Sequence, residues 1–352
     1  MEIMVAMSGG VDSAVAAALL KAQGHEVVGV TMKLWGGDSD TGCCSVSDVL
    51  DARRAADVVG VEHHVFNFGD AFDEHVVQHY VDAHEAGLTP NPCIECNRSI
   101  KFDKLLERAD SLGFEMIATG HHAQIVQEVD ALGKVQRFIK RGADGAKDQS
   151  YVLHMLGQAE LARTMLPIGH MSKDEVRRYA ADIGMRVANK PDSQDVCFIT
   201  RAEGRPSFLR SRMDFTPGVV VDAAGEQVGA VESVQLVTIG QRKGLGLAGG
   251  DREPRYVVDV DVPSATVTVG RKEELLTLET PVRDLLWVAE PVDGPVEVQT
   301  SAHGHPTAAA LSLGSEAGEA MVTWHQARPR VAPGQSVVLY WNDRVVGGAL
   351  AR

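Results

Sequence analysis

Met7-Ser8-Gly9-Gly10-Val11-Asp12-Ser13 is the stretch around which the chain is best read. It follows the apolar run Ile3-Met4-Val5-Ala6 and precedes Ala14-Val15-Ala16-Ala17-Ala18-Leu19-Leu20, a pattern that predicts a turn from a buried strand into a helix. Gly9 and Gly10 permit positive φ and close backbone approach, while the first helical turn aims unpaired N–H groups and a positive dipole end at the loop. Ser8 and Ser13 add hydroxyl donors, and Asp12 could hold a magnesium ion or orient a ligand hydroxyl. No Lys follows the last Gly, as a Walker loop requires. The expectation is therefore a loop that cradles pyrophosphate rather than one that hydrolyses a γ-phosphate. A Gly-Gly turn capped by Ser also serves plain strand-to-helix junctions, so the loop alone does not decide function.

Outward from this loop, the first half alternates strand and helix. Val27 to Lys33, His64 to Phe68 and Met116 to Thr119 have strand character, and Val46 to Val59, Ala71 to Ala86 and Phe102 to Leu112 have helical spacing. Ligands of parallel sheets collect beyond the carboxyl ends of the strands, where the first loop, Met32 and Gly120-His121 all fall. A further helix is expected from Met171 to Gly184, with Ser172 as N-cap and Glu175 three places on. Past Arg205 come short β-rich runs, Gly218 to Asp222, Val234 to Ile239 and Tyr256 to Val260. Between them sits the basic, Gly-rich loop Gly240-Gln241-Arg242-Lys243-Gly244-Leu245-Gly246-Leu247, either a plain connection or a nucleic-acid clamp. From about Thr277, evenly spaced runs ending in Ser336 to Trp341 and the turn Asn342-Asp343 suggest a small β-barrel. The expected organisation is an α/β parallel-sheet domain over 1–204, a small β-rich central domain over 205–275 and a C-terminal β-barrel over 276–352.

The chain has 352 residues, 44% hydrophobic and 23% charged, enough for two or three soluble domains. It has no run of about 18 apolar residues and opens directly into a strand without a basic, apolar leader, so a cytoplasmic location and no membrane partner are expected. A formal net charge of -14 argues against indiscriminate binding to nucleic acid or anionic membrane. It leaves open an RNA met by shape and a local basic face. Arg98, Lys101, Lys104 and Arg108 fall on one side of a helix, although Asp103 and Glu107 interleave as on an ordinary solvated face.

Five cysteines, Cys43-Cys44, Cys93-x-x-Cys96 and Cys197, are too few and too clustered for a secreted disulfide framework. They point to metal or sulfur chemistry, with simple packing the plainer reading for Cys43 and Cys44. The two prolines of Gly87 to Asn97 predict a loop. Its Cys-x-x-Cys suits a redox dithiol, a metal half-site or the edge of an iron–sulfur cluster, and the absence of a second Cys-x-x-Cys argues against a zinc ribbon. His121 and His122 could bind metal, polarise a substrate or simply hydrogen-bond at a strand end. Lys147 to Tyr151 reads as a capped helix start.

One chemical problem joins an ATP loop to separated thiols. A ring carbonyl oxygen is a poor leaving group, so its replacement by sulfur needs prior adenylation, after which AMP departs. Sulfur can then arrive from a cysteine persulfide, released when a second cysteine closes a disulfide, or from a metal-bound hydrosulfide.

Ser8 to Ser13, Thr89 to Asn97, Ala118 to His121, Lys147 to Tyr151, Asp192 to Ile199, Thr238 to Gly246 and Pro333 to Ser336 together resemble the bacterial tRNA-specific 2-thiouridylases. These tRNA-uridine 2-sulfurtransferases belong to the PP-loop ATP pyrophosphatases, with an adenine nucleotide α-hydrolase-like catalytic domain. The resemblance covers nearly the whole chain. It implies ATP, with Mg2+, bound by Ala6, Met7, Ser8, Gly9, Gly10, Val11, Asp12, Ser13, Met32 and Gly120, with Asp12 taking part in catalysis. It implies the target uridine near Asn91, Pro92 and Cys93, Cys96 as nucleophile and Cys197 as persulfide carrier. tRNA contacts are implied at His121, Lys147, Asp148, Gln149 and Gln335. The implied substrate is the wobble uridine of tRNAs for Lys, Glu and Gln, and the implied sulfur donor is a cysteine desulfurase or its relay protein.

Two departures qualify the resemblance. Many family members carry Asp where Cys93 stands, so Cys93, Cys96 and Cys197 could instead ligate a [4Fe-4S] cluster whose fourth iron binds hydrosulfide. Ser301-Ala302 replaces an Arg-Tyr tRNA contact of some members. The alternatives are a PP-loop synthetase adenylating a small molecule and a non-catalytic iron–sulfur module.

Overall fold

The computed structural model describes residues 1–34, 45–129, 133–192, 196–199, 204–247 and 253–352. Cys43 and Cys44 lie outside the described residues.

The chain begins with β1 (Glu2–Ala6), α1 (Val11–Ala22), β2 (Glu26–Lys33), α2 (Val46–Val59) and β3 (Glu62–Asn67). A long helix α3 over 69–85 and another, α4, over 92–112 follow, each with an internal π-helical stretch, Asp73–Gln78 and Cys96–Lys104. Then come β4 (Met116–Ala118), the hairpin β5 (Ala123–Val129) and β6 (Val135–Arg141), α5 (Gln158–Ala162), β7 (Thr164–Met165) and α6 (Lys173–Asp182). The first sheet runs β3-β2-β1-β4-β7, all parallel.

β1 is apolar throughout because both its faces are covered. Ile3 and Val5 pack with α1, α2 and α6, while Met4 and Ala6 pack on the side of α3 and α4. Small residues let α1 lie close to the sheet, and Ala14, Ala16 and Ala17 are almost fully buried there. The loop expected over Gly87 to Asn97 is shorter than the two prolines suggest. Pro92 opens α4 at the first helical position, where its missing N–H costs nothing, and Asn91 Oδ1 caps the helix by accepting from Cys93 N at 3.1 Å.

After α7 (Gly204–Arg210), a four-stranded sheet forms from β8 (Gly218–Val221), β9 (Gln227–Val231), β10 (Tyr256–Asp261) and β11 (Thr266–Gly270) in the order β10-β11-β8-β9. The strand expected at Val234 to Ile239 is instead a 3-10 turn, Val234–Leu236. Gln235 explains it: its side chain accepts from Thr216 N at 3.1 Å and from Ser233 Oγ at 2.7 Å, pinning the segment inward while Val234 and Val237 are buried on one side.

The remaining strands are β12 (Leu276–Trp287), β13 (Gly294–Gln299), β14 (Thr307–Leu313), β15 (Ala320–Pro329), β16 (Ser336–Trp341) and β17 (Arg344–Ala351). They run β12-β15-β14-β13-β16-β17, and β12 also pairs with β17, which closes a six-stranded barrel. The sequence pattern did not anticipate the next feature. The hairpin β5–β6 leaves the α/β layer and extends the barrel's sheet through β17, with Arg344 opposite Lys140. The main core is accordingly continuous from α3 and α4 to Val338, Tyr340 and Val345 of the barrel. Among the described residues no helix is long and apolar enough to cross a membrane.

Candidate active site

The turn between β1 and α1 is set by contacts that leave no room for side chains. Gly9 has φ +74°, and a Cβ there would lie 2.2 Å from the Asp48 carbonyl oxygen. Gly10 caps α1 in extended conformation without any side-chain hydrogen bond, so the cap offers the first-turn N–H groups no side-chain acceptor. Ser13 Oγ braces the turn, donating to Gly10 O at 3.2 Å and accepting from Ser8 N at 3.2 Å. Gly120, beyond β4, presses on the same helix start: a Cβ would lie 2.5 Å from Ser13 N. Lys190 fastens the loop from outside, donating to Gly9 O at 3.0 Å, Asp48 Oδ1 at 2.8 Å and Asp51 Oδ2 at 2.7 Å.

Asp12 stands in the first turn of α1, with Lys173 Nζ at 2.7 Å and His122 Nε2 at 3.1 Å. Burial alone would raise its carboxyl pKa, but hydrogen bonds from His122 and Lys173 outweigh burial and hold it below the usual carboxylate value. It is an anion at neutral pH. Asp192 is held down to about 2; burial opposes this, and Lys147 and Lys173, each 2.8 Å away, overcome it. Arg177 is a third cation on Asp192, at 3.1 Å.

His121 is buried, hydrogen-bonded through Nδ1 to Thr119 Oγ1 at 2.8 Å and stacked on Phe102 at 6.1 Å. Burial lowers its pKa to about 3, so its imidazole is neutral. Gln149 trades backbone and side-chain bonds with His122, its Oε1 accepting from His122 N at 2.9 Å. Asp148 is spent internally: it accepts from Gly142 N, Ser150 N, Ser150 Oγ and Arg141 Nη1 at 2.8 to 3.1 Å. Arg141 in turn reaches Gln299 Oε1 of the barrel at 3.0 Å and stacks over Tyr340 at 3.8 Å.

Cys93 lies half-buried in the first turn of α4, and Cys96 lies three residues further along the same helix and is buried. Cys197 is half-buried beside Phe198, whose ring is wedged among Phe72, Tyr80 and Phe208 with centroids 5.2 to 5.7 Å apart. Val196, just before it, has φ +52°, a strained conformation for a β-branched residue.

A single cavity of about 1360 Å³ unites these parts. Its walls include Ala6, Met7, Ser8, Gly10, Val11, Asp12, Ser13, Met32 and Gly120 at one end and Pro92, Cys93, Cys96 and Cys197 at the other, with His121, Lys147, Asp148 and Gln149 also lining it. Gly9, Asn91 and Gln335 are not on its lining. Gly9 acts through its carbonyl on Lys190, and Asn91 caps α4. Gln335 sits at the seam of the barrel, donating to Thr89 O at 2.5 Å next to the bond from Thr89 N to Pro333 O. Of the basic stripe on α4, Lys101 reaches the cavity, whereas Arg98 and Lys104 pair with Glu95 and Glu107.

Sequence reasoning missed Lys173, Lys190, Arg141, Gln299, His303 and His305, which line the cavity or brace it. Lys173 left one readable sign: a cation directly after the N-cap Ser172, where the helix dipole disfavours it.

The volume exceeds the usual small-ligand range of roughly 300–1,000 Å³ and suits a nucleotide together with a second nucleotide-sized group. The bare helix start fits a polyphosphate. For a metal cluster the fit is poorer: among the described residues no three His, Cys, Asp or Glu side chains stand close enough to hold a metal ion. Chemically, the cavity combines anion binding at one end with nucleophilic sulfur at the other.

Comparison with known families gives three matches in series: residues 1–201 to a tRNA methyl transferase HUP domain, 206–271 to a tRNA methyl transferase PRC-barrel domain and 279–351 to an aminomethyltransferase beta-barrel domain. A tRNA-specific 2-thiouridylase MnmA of Chloroflexus aggregans is 44% identical over 354 residues, covering 98% of this chain and 97% of its own. One of Rhodococcus erythropolis is 44% identical over 361 residues, covering 99% and 95%. Among solved structures, a 4-thiouridine synthetase–RNA complex with bound ATP aligns at 20% identity and TM-score 0.38, over 56% of this chain and 44% of that one.

Proposed function

The chain belongs to the tRNA-specific 2-thiouridylase family and is a tRNA sulfurtransferase, and from that premise we propose that it thiolates the wobble uridine of tRNAs for Lys, Glu and Gln at C2, at the expense of ATP. The observation that carries this reading is the shared cavity, into which the nucleotide loop and Cys93, Cys96 and Cys197 all open.

ATP lies with its phosphates on the N-terminus of α1, cradled by Ser8 to Ser13, and with Met32 and Gly120 beside it; Asp12 is the chain's candidate ligand for the accompanying Mg2+. The uridine enters near Asn91, Pro92 and Cys93. Its O2 attacks the α-phosphorus, pyrophosphate leaves, and C2 becomes open to substitution with AMP as leaving group. Cys197 carries the persulfide. The Cys96 thiolate attacks the Cys197 sulfur, forming the Cys96–Cys197 disulfide and releasing hydrosulfide, which adds to C2 as AMP departs. A cellular thiol then reduces the disulfide.

The sulfur comes from a cysteine desulfurase or a relay protein, and a cytoplasmic location fits a tRNA substrate. His121, Lys147 to Gln149, Gln335 and the exposed Arg242-Lys243 pair are the proposed tRNA contacts. The persulfide route needs only Cys96 and Cys197, both on the cavity lining, and the [4Fe-4S] alternative would call on Cys93 as well.

Anaerobic thiolation assays test this reading, with tRNA, ATP and a persulfide donor, on iron-free and iron-reconstituted protein. The expected result is 2-thiouridine from the iron-free sample. Activity from the reconstituted sample alone would make Cys93, Cys96 and Cys197 cluster ligands. ATP–pyrophosphate exchange driven by a metabolite and indifferent to tRNA would move the small-molecule synthetase to the front.

A further inference from the structure

Lys173 is a costly residue in its position. It is the first residue of α6, at the positive end of the helix dipole, and its side chain is only 9% exposed. A buried ammonium persists where anions compensate it, and two do. Its Nζ sits 2.7 Å from Asp12 Oδ2 and 2.8 Å from Asp192 Oδ1. Asp12 belongs to the first turn after the nucleotide loop. Asp192 stands five residues before Cys197. One ammonium therefore joins the first turn after the nucleotide loop to the residue that stands five places before Cys197 in the chain.

We propose that Lys173 is a positioning residue that couples occupancy of the nucleotide loop to the placement of Cys197. The proposal rests on the reading of that loop as an ATP site. A polyphosphate arriving at the start of α1 competes with both carboxylates for the same ammonium, so the bridge to Asp192 loosens when the loop is filled and tightens when pyrophosphate leaves. Lys147 and Arg177 keep Asp192 from being left uncompensated in the loosened state. Lys190, two residues before Asp192, has its own set of partners in Gly9 O, Asp48 and Asp51. The thiol end thus senses the state of the nucleotide end through a shared cation.

The test measures the alkylation rate of Cys197 by iodoacetamide, resolved by peptide mass spectrometry, with and without a non-hydrolysable α,β-methylene ATP analogue. Calorimetry on the same samples reports analogue binding. In the full-length wild-type protein, binding should change the Cys197 rate by about threefold or more, a response lost in Lys173→Met and partly kept in Lys173→Arg. Asp192→Asn should retain tRNA-dependent ATP–pyrophosphate exchange to within about twofold while thiolation falls about tenfold. A bound analogue with an unchanged Cys197 rate in the wild type overturns the coupling. So does a wild-type-like response in Lys173→Met, or exchange and thiolation falling together in a folded Asp192→Asn. Failure of the wild type to bind the analogue sinks the ATP reading itself. Should Lys173→Met not fold, the wild-type and Asp192→Asn measurements still decide.

Discussion

At the nucleotide end of the cavity, the anion cradle comes from one strand–turn–helix unit pressed by two neighbouring backbones, whereas the thiols at the other end come from two segments about a hundred residues apart. The first end is rigid by construction: a Cβ at Gly9 or Gly120 would meet backbone at 2.2 and 2.5 Å. The second is held by a ring wedge at Phe198, a strained Val196 and ion pairs at Asp192. Phosphate binding and in-line attack require preorganised donors, while sulfur delivery requires a group that can approach a partner and withdraw.

The comparison breaks most sharply if the thiols are removed. Cys96→Ser and Cys197→Ser should each lower thiolation by about 10³-fold or more while ATP affinity stays within about twofold, as read by nucleoside mass spectrometry and calorimetry. Normal 2-thiouridine from either variant would falsify the sulfur assignment. Gly120→Ala is the converse experiment. The added Cβ pushes the start of α1 away, and ATP affinity should fall about 10- to 100-fold with Cys197 still open to alkylation. If affinity is unchanged, the rigidity of the nucleotide end has been overstated.

A third measurement asks whether the frame behind both ends is equally acid-sensitive. Burial lowers the pKa of His84 to about 4 and of His121 and His154 to about 3, below the ordinary value of 6.5. Their neutral forms contribute stability fully above 6.5, and it is lost as pH falls from 6.5 toward those folded values. At pH 5 each forfeits up to about 2 kcal/mol, so Tm should drop steeply between pH 6.5 and 4. A flat Tm over that window would show the histidines to be hydrated. The smallest effect is expected at the periphery. Arg242→Ala or Lys243→Ala should weaken tRNA binding a few-fold and reduce the salt slope by about one, without changing which base is modified.

The nucleotide end was legible because its chemistry is contiguous: glycines, hydroxyls and Asp12 stand within seven residues, with a buried strand before and a helix after. The Ser172–Glu175 capping box was legible for the same reason, and both of its bonds are present. Lys173 escaped because its meaning lies in two carboxylates 161 and 19 residues away, which only the fold assembles. Pro92 misled because the same residue that breaks a helix interior is welcome at its first position. Val234 misled because β-branched residues are strand-like in pattern, while Gln235's side chain decided the local backbone. Residues 123–141 carried no assignment from the sequence, and alternation alone says nothing about which sheet a hairpin joins.

That hairpin carries a consequence for how the enzyme is made. Lys140 pairs with Arg344, and Arg141 stacks on Tyr340 while it holds Asp148, which fixes the stretch from Gly142 to Ser150 along the cavity wall. On a ribosome, these partners emerge about two hundred residues after the hairpin. The nucleotide loop can fold early, but its opposite wall waits for the last strand of the barrel. An unfinished chain therefore carries the nucleotide loop and all three cavity thiols without the barrel contacts that hold the wall at 142–150.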